Sequence, residues 1–452
     1  MAPRLFGTNG VRGIVNEGIT AEFALRLGKA IGRFMSGNVA IGSDTRTSAD
    51  MVKYAVASGI MASGQRVLDL GVLPTPALQY FVKTHNRVSG GVMITASHNP
   101  PEFNGIKCVD SDGTEMHRSN EERIEENFAE DSPGVPWDAV GSYEKVSGAS
   151  ESYVNAIVSK VDAAKIRAAN LTVALDVANG AAYKTAPLLL KKLNVRAVTL
   201  NANPQGEFPG HPSEPTEGNL SDLIRLTKSL KADLGVAHDG DADRAVFVTR
   251  KGEYVSGDKS LALLASYALD DGPGTVVTPV STSSVVEEVV RGKDGDVVYT
   301  AVGSPIVARK MMEIGAAFGG EENGGLIFPE MQYCRDAGMT LAKMLEFVAV
   351  KGPLHAQIEK LPVYYVEKAK IDCPDHLKDG LMEAMLALEP DRESDTTDGV
   401  KFIFKEGWVL MRPSGTEPIF RIYTESKDKE WAVSKCAEYV EKAKAFVTQN
   451  SL

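Results

Sequence analysis

Short apolar runs alternate with stretches of helical period through most of this chain, and that rhythm admits few folds. Val39-Ala-Ile-Gly42, Arg66 to Leu70, Val92-Met-Ile94, Leu171 to Val177, Val195 to Leu200, Leu234 to His238, Thr275 to Val280 and Val297 to Thr300 read as strands. Between them the spacing predicts helices over Ala49 to Ser63, 76–84, Ala181 to Lys192, Ser221 to Lys231, 258–269 and 283–291. An earlier helix is capped by Thr20 and carries Phe23, Leu27, Ala30, Ile31 and Phe34 on one face. Strand and helix in turn predict right-handed βαβ units with mostly parallel pairing. From Leu361 the pattern changes to strands at Tyr364, Lys401 to Phe404, Trp408 to Met411 and Phe420 to Tyr423, closed by a helix over 429–446. The expected fold class is α/β: three consecutive mixed-sheet α/β domains plus a C-terminal antiparallel α+β domain. Their expected extents are 1–150, 151–252, 253–362 and 363–452. Residues 1–19, rich in glycine and carrying Arg4 and Arg12, read as loop. Residues 201–218 hold four prolines and three glycines and read as a long loop that is either functional or poorly ordered.

Composition narrows the function. A net charge of −11 disfavours a nucleic-acid or anionic-membrane partner, though local arginines still permit a small anionic substrate. No apolar run approaches the roughly 18 residues of a membrane span. The opening Met-Ala-Pro-Arg-Leu-Phe-Gly lacks an apolar signal core, so nothing in it directs secretion. Cys108, Cys334, Cys373 and Cys436 lie far apart without a Cys-x-x-Cys pair, which speaks against a zinc site or a disulfide framework and suits a reducing cytoplasm.

Four stretches carry chemistry. In Gly91-Val-Met-Ile-Thr-Ala-Ser-His-Asn-Pro-Pro101 the two prolines end the strand, so Ser97 falls at its carboxyl end, where open α/β sheets place their sites. Alone, Ser97 would read as a turn-capping serine. In His238-Asp-Gly-Asp-Ala-Asp-Arg244 the alternating Asp239, Asp241 and Asp243 suit one hard cation. An EF-hand is excluded, because Arg244 stands where that loop needs glycine and Arg250 where it needs glutamate. Crowded carboxylates repel, and three of them leave positions on Mg²⁺ for phosphate oxygens. Gly319-Gly-Glu-Glu-Asn-Gly-Gly325 presents Glu321 and Asn323, a carboxylate and an amide suited to neighbouring sugar hydroxyls, though a plain turn fits it equally well. Arg412-Pro-Ser-Gly-Thr-Glu-Pro418, with Arg421 just after, offers an anion cradle from Arg412, Ser414, Gly415 and Thr416. It is not a Walker A loop, so a nucleoside triphosphate is not implied.

Together these four stretches resemble the α-D-phosphohexomutase family, in the family's order and over essentially the whole chain. The resemblance implies an active site in the central cleft and a phosphoserine at Ser97. It implies one Mg²⁺ per chain, held by Asp239, Asp241, Asp243 and the phosphoserine oxygen. It also implies a hexose phosphate substrate, with a hexose bisphosphate as intermediate and activator. Glu321 and Asn323 would read the sugar, while Arg412, Ser414, Gly415 and Thr416, with Arg421 nearby, would hold the distal phosphate. Lys107 matches the family lysine proposed as general acid/base, Arg12 and Arg244 would orient the transferring phosphate, and His98 would help position the nucleophile. The opening Leu5-Phe-Gly-Thr-Asn-Gly-Val-Arg-Gly13 resembles the phosphoglucosamine mutase branch. Asn323 and Gly325 depart from the serine and histidine of many bacterial members and resemble archaeal ones, several of which act on mannose or glucose phosphates. Two other readings are an aspartyl phosphatase with Asp239 as nucleophile, and a non-catalytic sugar-phosphate sensor. Monomer and homo-oligomer are both compatible with the sequence.

Overall fold

The computed structural model describes residues 4–7, 9–131, 133–415 and 418–450. They fall into two compact units, one within Met1–Ser260 and Asn323–Glu359, the other within Leu261–Glu322 and Lys360–Leu452.

The first unit opens with a six-stranded sheet of β1 (Val11–Ile14), β2 (Asn38–Ser43), β3 (Arg66–Val72), β4 (Val88–Ile94), β5 (Phe103–Val109) and β6 (Tyr143–Lys145), in the order β1-β5-β4-β2-β3-β6. β2 runs parallel to both β3 and β4, as βαβ units require, whereas β5 is antiparallel to β4 and to β1. One expectation is corrected here. Residues 1–19 are not all loop, because Val11–Ile14 pairs with Phe103–Ile106 residue for residue. Two of those four residues, Arg12 and Gly13, carry no strand signal, and the pairing is supplied by β5. The first sheet is mixed, as expected, with β2–β3, β2–β4 and β3–β6 parallel. β5 hides from a hydrophobic pattern because Asn104 and Lys107 are buried in it.

β7 (Thr172–Asp176), β8 (Arg196–Leu200), β9 (Leu234–His238), β10 (Ala245–Thr249) and β11 (Tyr254–Val255) form the second sheet, ordered β11-β10-β9-β7-β8. β9 and β10 are an antiparallel pair of wholly buried strands, so residues 239–244 are the loop of a hairpin. The helix expected over Ala181 to Lys192 is instead a 3₁₀ turn, Ala181–Tyr183, followed by a helix over Thr185–Lys192. Ala181 N donates to Gly240 O at 2.9 Å, which ties the start of this segment to the hairpin loop.

In the second unit β12 (Thr275–Pro279) runs parallel to both β13 (Asp296–Thr300) and β14 (Phe318–Gly320). The chain then returns to the first unit, where β15 (Leu326–Phe328) and β16 (Gln332–Arg335) pair antiparallel ahead of the helix Ala337–Lys351. The last sheet, again in the second unit, is antiparallel throughout, with β17 (Tyr365–Asp372), β18 (Ser394–Asp395), β19 (Val400–Ile403), β20 (Gly407–Pro413) and β21 (Ile419–Ser426) ordered β17-β21-β20-β19-β18. The closing helix runs Lys429–Asn450, and a second helix, Lys378–Leu386, joins it on this sheet's core. Among the described residues no helix is long and apolar enough to cross a membrane. All four cysteines are buried and free.

The core of the first sheet is built from Val39, Ile41, Val92, Ile94 and Ile106 with Leu27, Ile31, Val56 and Ile60 of two helices, Ala21–Phe34 and Ala49–Ala62. Thr20 caps the first of these, its Oγ1 accepting from Phe23 N at 3.1 Å. The helices meet backbone to backbone: a Cβ on Gly59 would lie 2.1 Å from Leu25 O, and one on Gly28 would lie 2.3 Å from Val56 O. Helix propensity alone favours alanine over glycine by about 1 kcal/mol. Gly59→Ala is nevertheless expected to destabilise by about 1–3 kcal/mol in urea denaturation, because a backbone oxygen cannot yield without moving a helix. A gain in stability would show that the two helices separate freely.

Candidate active site

The turn after β4 places Ser97 in the left-handed region, at φ +54°, a conformation a non-glycine residue adopts only when its surroundings fix it. Those surroundings are Asp44, Arg46 and Thr95. Arg46 is buried and bonded to Asp44 at 3.1 Å, and its guanidinium donates to the carbonyls of Ser97 (2.9 Å), Asn99 (2.6 Å), Pro100 (2.6 Å) and Phe103 (2.8 Å). Thr95 Oγ1 donates to Asp44 Oδ2 at 2.6 Å and accepts from Ser97 N at 2.9 Å. Burial pushes Asp44 up, and Arg46 and Thr95 oppose it. This support came from the polar turn Ser43 to Thr47, which the sequence marks as a turn but not as the frame of the Ser97 loop.

Ser97 is wholly buried, and its Oγ donates to Asp239 Oδ2 at 2.9 Å. The other oxygen of Asp239 accepts from the backbone amides of Asp243 (3.1 Å) and Arg244 (3.2 Å), which folds the hairpin loop around that carboxylate. Gly240 allows the loop to approach the serine, since a Cβ there would lie 2.6 Å from Ser97 O. Asp239, Asp241 and Asp243 are all buried, with ligand atoms within 4.8 Å of one another. Burial, then Asp243 and Asp241, raise Asp239 well above the usual carboxylate range. Burial acts in the same sense on Asp241, but Lys107 Nζ at 2.6 Å, Thr75 Oγ1 at 2.6 Å and Arg335 hold it well below that range. Lys107 also stands 3.6 Å from Asp243, and Arg335 Nη2 donates to Asp243 Oδ2 at 2.5 Å.

These carboxylates fit a divalent cation. Asp241 Oδ1 and Asp243 Oδ1 are buried and have no hydrogen-bond partner among the described residues. An unpartnered buried carboxylate oxygen is costly, and a hard cation with oxygen preference satisfies it.

Cations ring the same place. Arg12 Nη1 donates to Asn99 Oδ1 at 2.9 Å, and burial lowers its pKa. Arg244 is buried, with its Nε 3.7 Å from Asp243 Oδ1. Arg244, burial and Arg12 together push His98 down to about 2, so its imidazole is neutral, with Nδ1 3.4 Å from Ser97 Oγ. The first unit therefore brings together Ser97, His98, Lys107, Arg12, Asp239, Asp241, Asp243 and Arg244. Thr75 and Arg335 join them without any sequence motif to announce them.

The remaining predicted residues occupy separate settings. Asn323, in the first unit, accepts from Gly325 N through Oδ1 at 3.0 Å. Glu321, in the second, is buried and accepts from Gly303 N at 3.2 Å. Arg412, next to the last residue of β20, lies opposite Arg421 on β21, which in turn lies opposite Lys370 on β17, so three cations share one face of the last sheet. Arg412 is partly neutralised by Asp398 at 3.0 Å. Ser414 O accepts from Lys378 Nζ at 2.6 Å, and a Cβ on Gly415 would meet open space. Thr416 lies outside the described residues.

Residues 201–218 prove to be an ordered loop laid against the Ser97 loop. Phe208 packs on the Arg46 guanidinium at 5.1 Å, Ser213 Oγ donates to Asn99 O at 3.4 Å, and Gly206 sits where a Cβ would strike Thr47 N. The far side is tied by Asp176, which accepts from Asn201 Nδ2 at 3.0 Å and pairs with His211 Nε2 at 3.3 Å.

A buried serine bonded to one of three clustered carboxylates, within a frame of cations, is an arrangement suited to handling phosphate. Four successive family descriptions match the chain: phosphoglucomutase/phosphomannomutase α/β/α domain I over residues 3–134, domain II over 151–252, domain III over 256–365 and the C-terminal domain over 369–443. The chain is 43% identical over 448 residues to a phosphoglucomutase/phosphomannomutase of Thermococcus kodakarensis, covering 97% of each. It is 43% identical over 444 residues to a phosphoglucosamine/phosphogalactosamine mutase of Sulfurisphaera tokodaii, covering 95% of this chain and 96% of that one. A solved structure of a phosphoglucomutase/phosphomannomutase family protein from Burkholderia thailandensis superposes with a TM-score of 0.86 at 27% identity, covering 99% and 98% of the two chains. The chain belongs to the phosphoglucomutase/phosphomannomutase family, with its three mixed-sheet domains and antiparallel C-terminal domain. It is a phosphohexomutase, an isomerase that acts as an intramolecular phosphotransferase.

Two outcomes test this geometry. Arg46→Met leaves Asp44 buried without its cation, so a loss of about 3–5 kcal/mol is expected, with faster hydrogen exchange at the amides of His98, Asn99, Glu102 and Phe103. Unchanged exchange there would show that Arg46 does not frame the Ser97 loop. The His211–Asp176 pair gives a pH signature. His211 is raised despite burial because Asp176 lies beside it, so its stabilisation is complete below the unfolded value of about 6.5 and fades as pH rises through the folded value. Asp176 is lowered against burial by the same partner, so its share is present above about pH 4 and fades in stronger acid. The stability difference between the protein and His211→Ala should accordingly be larger at pH 5.5 than at pH 9 in urea titrations.

Proposed function

We propose that this phosphohexomutase interconverts glucosamine 6-phosphate and glucosamine 1-phosphate, through a phosphoserine at Ser97 and a hexose bisphosphate intermediate. The observation that carries the mechanism is the 2.9 Å bond from Ser97 Oγ to Asp239 Oδ2, inside a ring of buried cations. Asp239, Asp241 and Asp243, with a phosphoserine oxygen, would hold Mg²⁺, which supplies neutralisation of the phosphoryl charge.

In the first half-reaction the sugar hydroxyl attacks the phosphorus carried by Ser97. The bond from Ser97 Oγ to phosphorus breaks, a bond from phosphorus to the sugar oxygen forms, and the hydroxyl proton ends on Ser97 Oγ. Lys107 is the buried amine assigned to relay that proton. Arg12 and Arg244 donate to the moving phosphoryl oxygens. Neutral His98, 3.4 Å from Ser97 Oγ, orients the serine without adding charge. The bisphosphate then reverses, and its other phosphate returns to Ser97. Glu321 and Asn323 are assigned to the sugar hydroxyls. Arg412, Ser414, Gly415, Thr416 and Arg421 are assigned to the phosphate that is not in transit, and the row of like charges across β20, β21 and β17 supports an anion there.

The sugar assignment rests on the resemblance of residues 5–13 to the phosphoglucosamine mutase branch and on the Sulfurisphaera relative. A second reading, a phosphomannomutase/phosphoglucomutase with the same chemistry, is favoured by the equal identity to the Thermococcus relative. An aspartyl phosphatase with Asp239 as nucleophile is disfavoured, because it leaves the Ser97 and Arg412 stretches without a role. We assign the enzyme to the cytoplasm, in keeping with buried free thiols.

Initial rates on glucosamine, mannose and glucose phosphates, with Mg²⁺ and a trace of hexose bisphosphate, test the proposal. Ser97→Ala should abolish interconversion, a loss of at least about 10³-fold, and chelation should do the same reversibly. The highest kcat/KM is expected for glucosamine phosphate; a higher value for mannose or glucose phosphate would transfer the assignment. Phosphate release that survives Ser97→Ala would sink the phosphoserine mechanism.

A further inference from the structure

Arg335, the last residue of β16, is 6% exposed, and its Nη2 donates to Asp243 Oδ2. Its stem occupies the space that any side chain at position 325 would need. A Cβ on Gly325 would lie 2.2 Å from Arg335 Cδ and 2.9 Å from Cγ. The antiparallel pairing that sets Ile327 opposite Arg335 brings the two positions together. Asn323 closes the same turn, its Oδ1 accepting from Gly325 N.

Asp241 and Asp243 are treated alike. Lys107 and Thr75 both bond Asp241 through Oδ2, and Arg335 bonds Asp243 through Oδ2. In each case the Oδ1 is buried and has no hydrogen-bond partner among the described residues. One oxygen of each carboxylate is thus bonded to a cation and the other makes no hydrogen bond among the described residues, with Arg244 Nε 3.7 Å from the Oδ1 of Asp243. Hydrogen bonds to the non-ligating side of a metal ligand commonly set its orientation.

We infer that Arg335 is a positioning residue that turns Asp243 toward the divalent cation, and that position 325 is glycine to leave room for the Arg335 stem. The inference rests on the assignment of the three aspartates to a metal. It couples the turn read as a sugar loop to the metal through a single side chain.

The test is a Mg²⁺ isotherm measured calorimetrically on the full chain with no sugar present. Arg335→Met should raise the Kd about 10–100-fold. Gly325→Ala touches no carboxylate, yet it should also raise the Kd by displacing the arginine. The double variant should bind no more weakly than Arg335→Met alone, because both changes remove one interaction. Wild-type affinity in Arg335→Met would overturn the inference, as would wild-type affinity in Gly325→Ala or a double variant whose effect is the product of the singles. Thermal unfolding in chelator checks that each variant folds; should Arg335→Met fail, Gly325→Ala decides alone. A wild-type chain that binds Mg²⁺ but isomerises no hexose phosphate would sink the functional proposal and leave Arg335 standing. One that binds no Mg²⁺ would overturn the Arg335 inference itself.

Discussion

Three carboxylates buried on one hairpin loop are the interaction on which the first unit depends. At short range in a medium less polar than water, like charges cost several kcal/mol, so a fold can hold them only by surrounding them with compensation. Lys107 comes from β5, Thr75 from the start of a helix, Arg335 from β16 and Arg244 from the loop itself. Elements far apart in sequence are drawn to the hairpin by the need to neutralise it. The strand β5, with a buried lysine that hydrophobic patterning would reject, exists on those terms.

The serine is governed from the opposite side. Its left-handed backbone is imposed by one arginine that spends its donors on four carbonyls of the same loop and is itself anchored by Asp44. Phe208 and Ser213 of the long loop then cover that arginine and touch the loop it frames. The serine is thereby held by groups that lie outside the proposed chemistry, which is the usual requirement for precise positioning.

Legibility in the sequence followed the kind of physics involved. Strands such as Leu234–His238, apolar at every other position or more, and the Thr20 cap were readable because their signals are local. β1 was not, because its four residues become a strand only by pairing with β5, and the split of Ala181 to Lys192 came from a contact with Gly240 about sixty residues on. At the site, the three aspartates stood out through their spacing, and Ser97 through its place at a strand's end taken together with the other three stretches. Arg46, Thr75 and Arg335 did not, since an arginine in a polar turn or a threonine before a proline has no pattern that separates it from surface residues. Their roles are created by the tertiary fold.

The aligned Arg412, Arg421 and Lys370 have a further consequence. Directly opposed like charges on neighbouring strands repel, and Asp398, 3.0 Å from Arg412, offsets part of that cost within the fold. The positive character of this face is thus a property of strand register, and a slip of one residue between β20 and β21 would send Arg412 and Arg421 to opposite sides of the sheet.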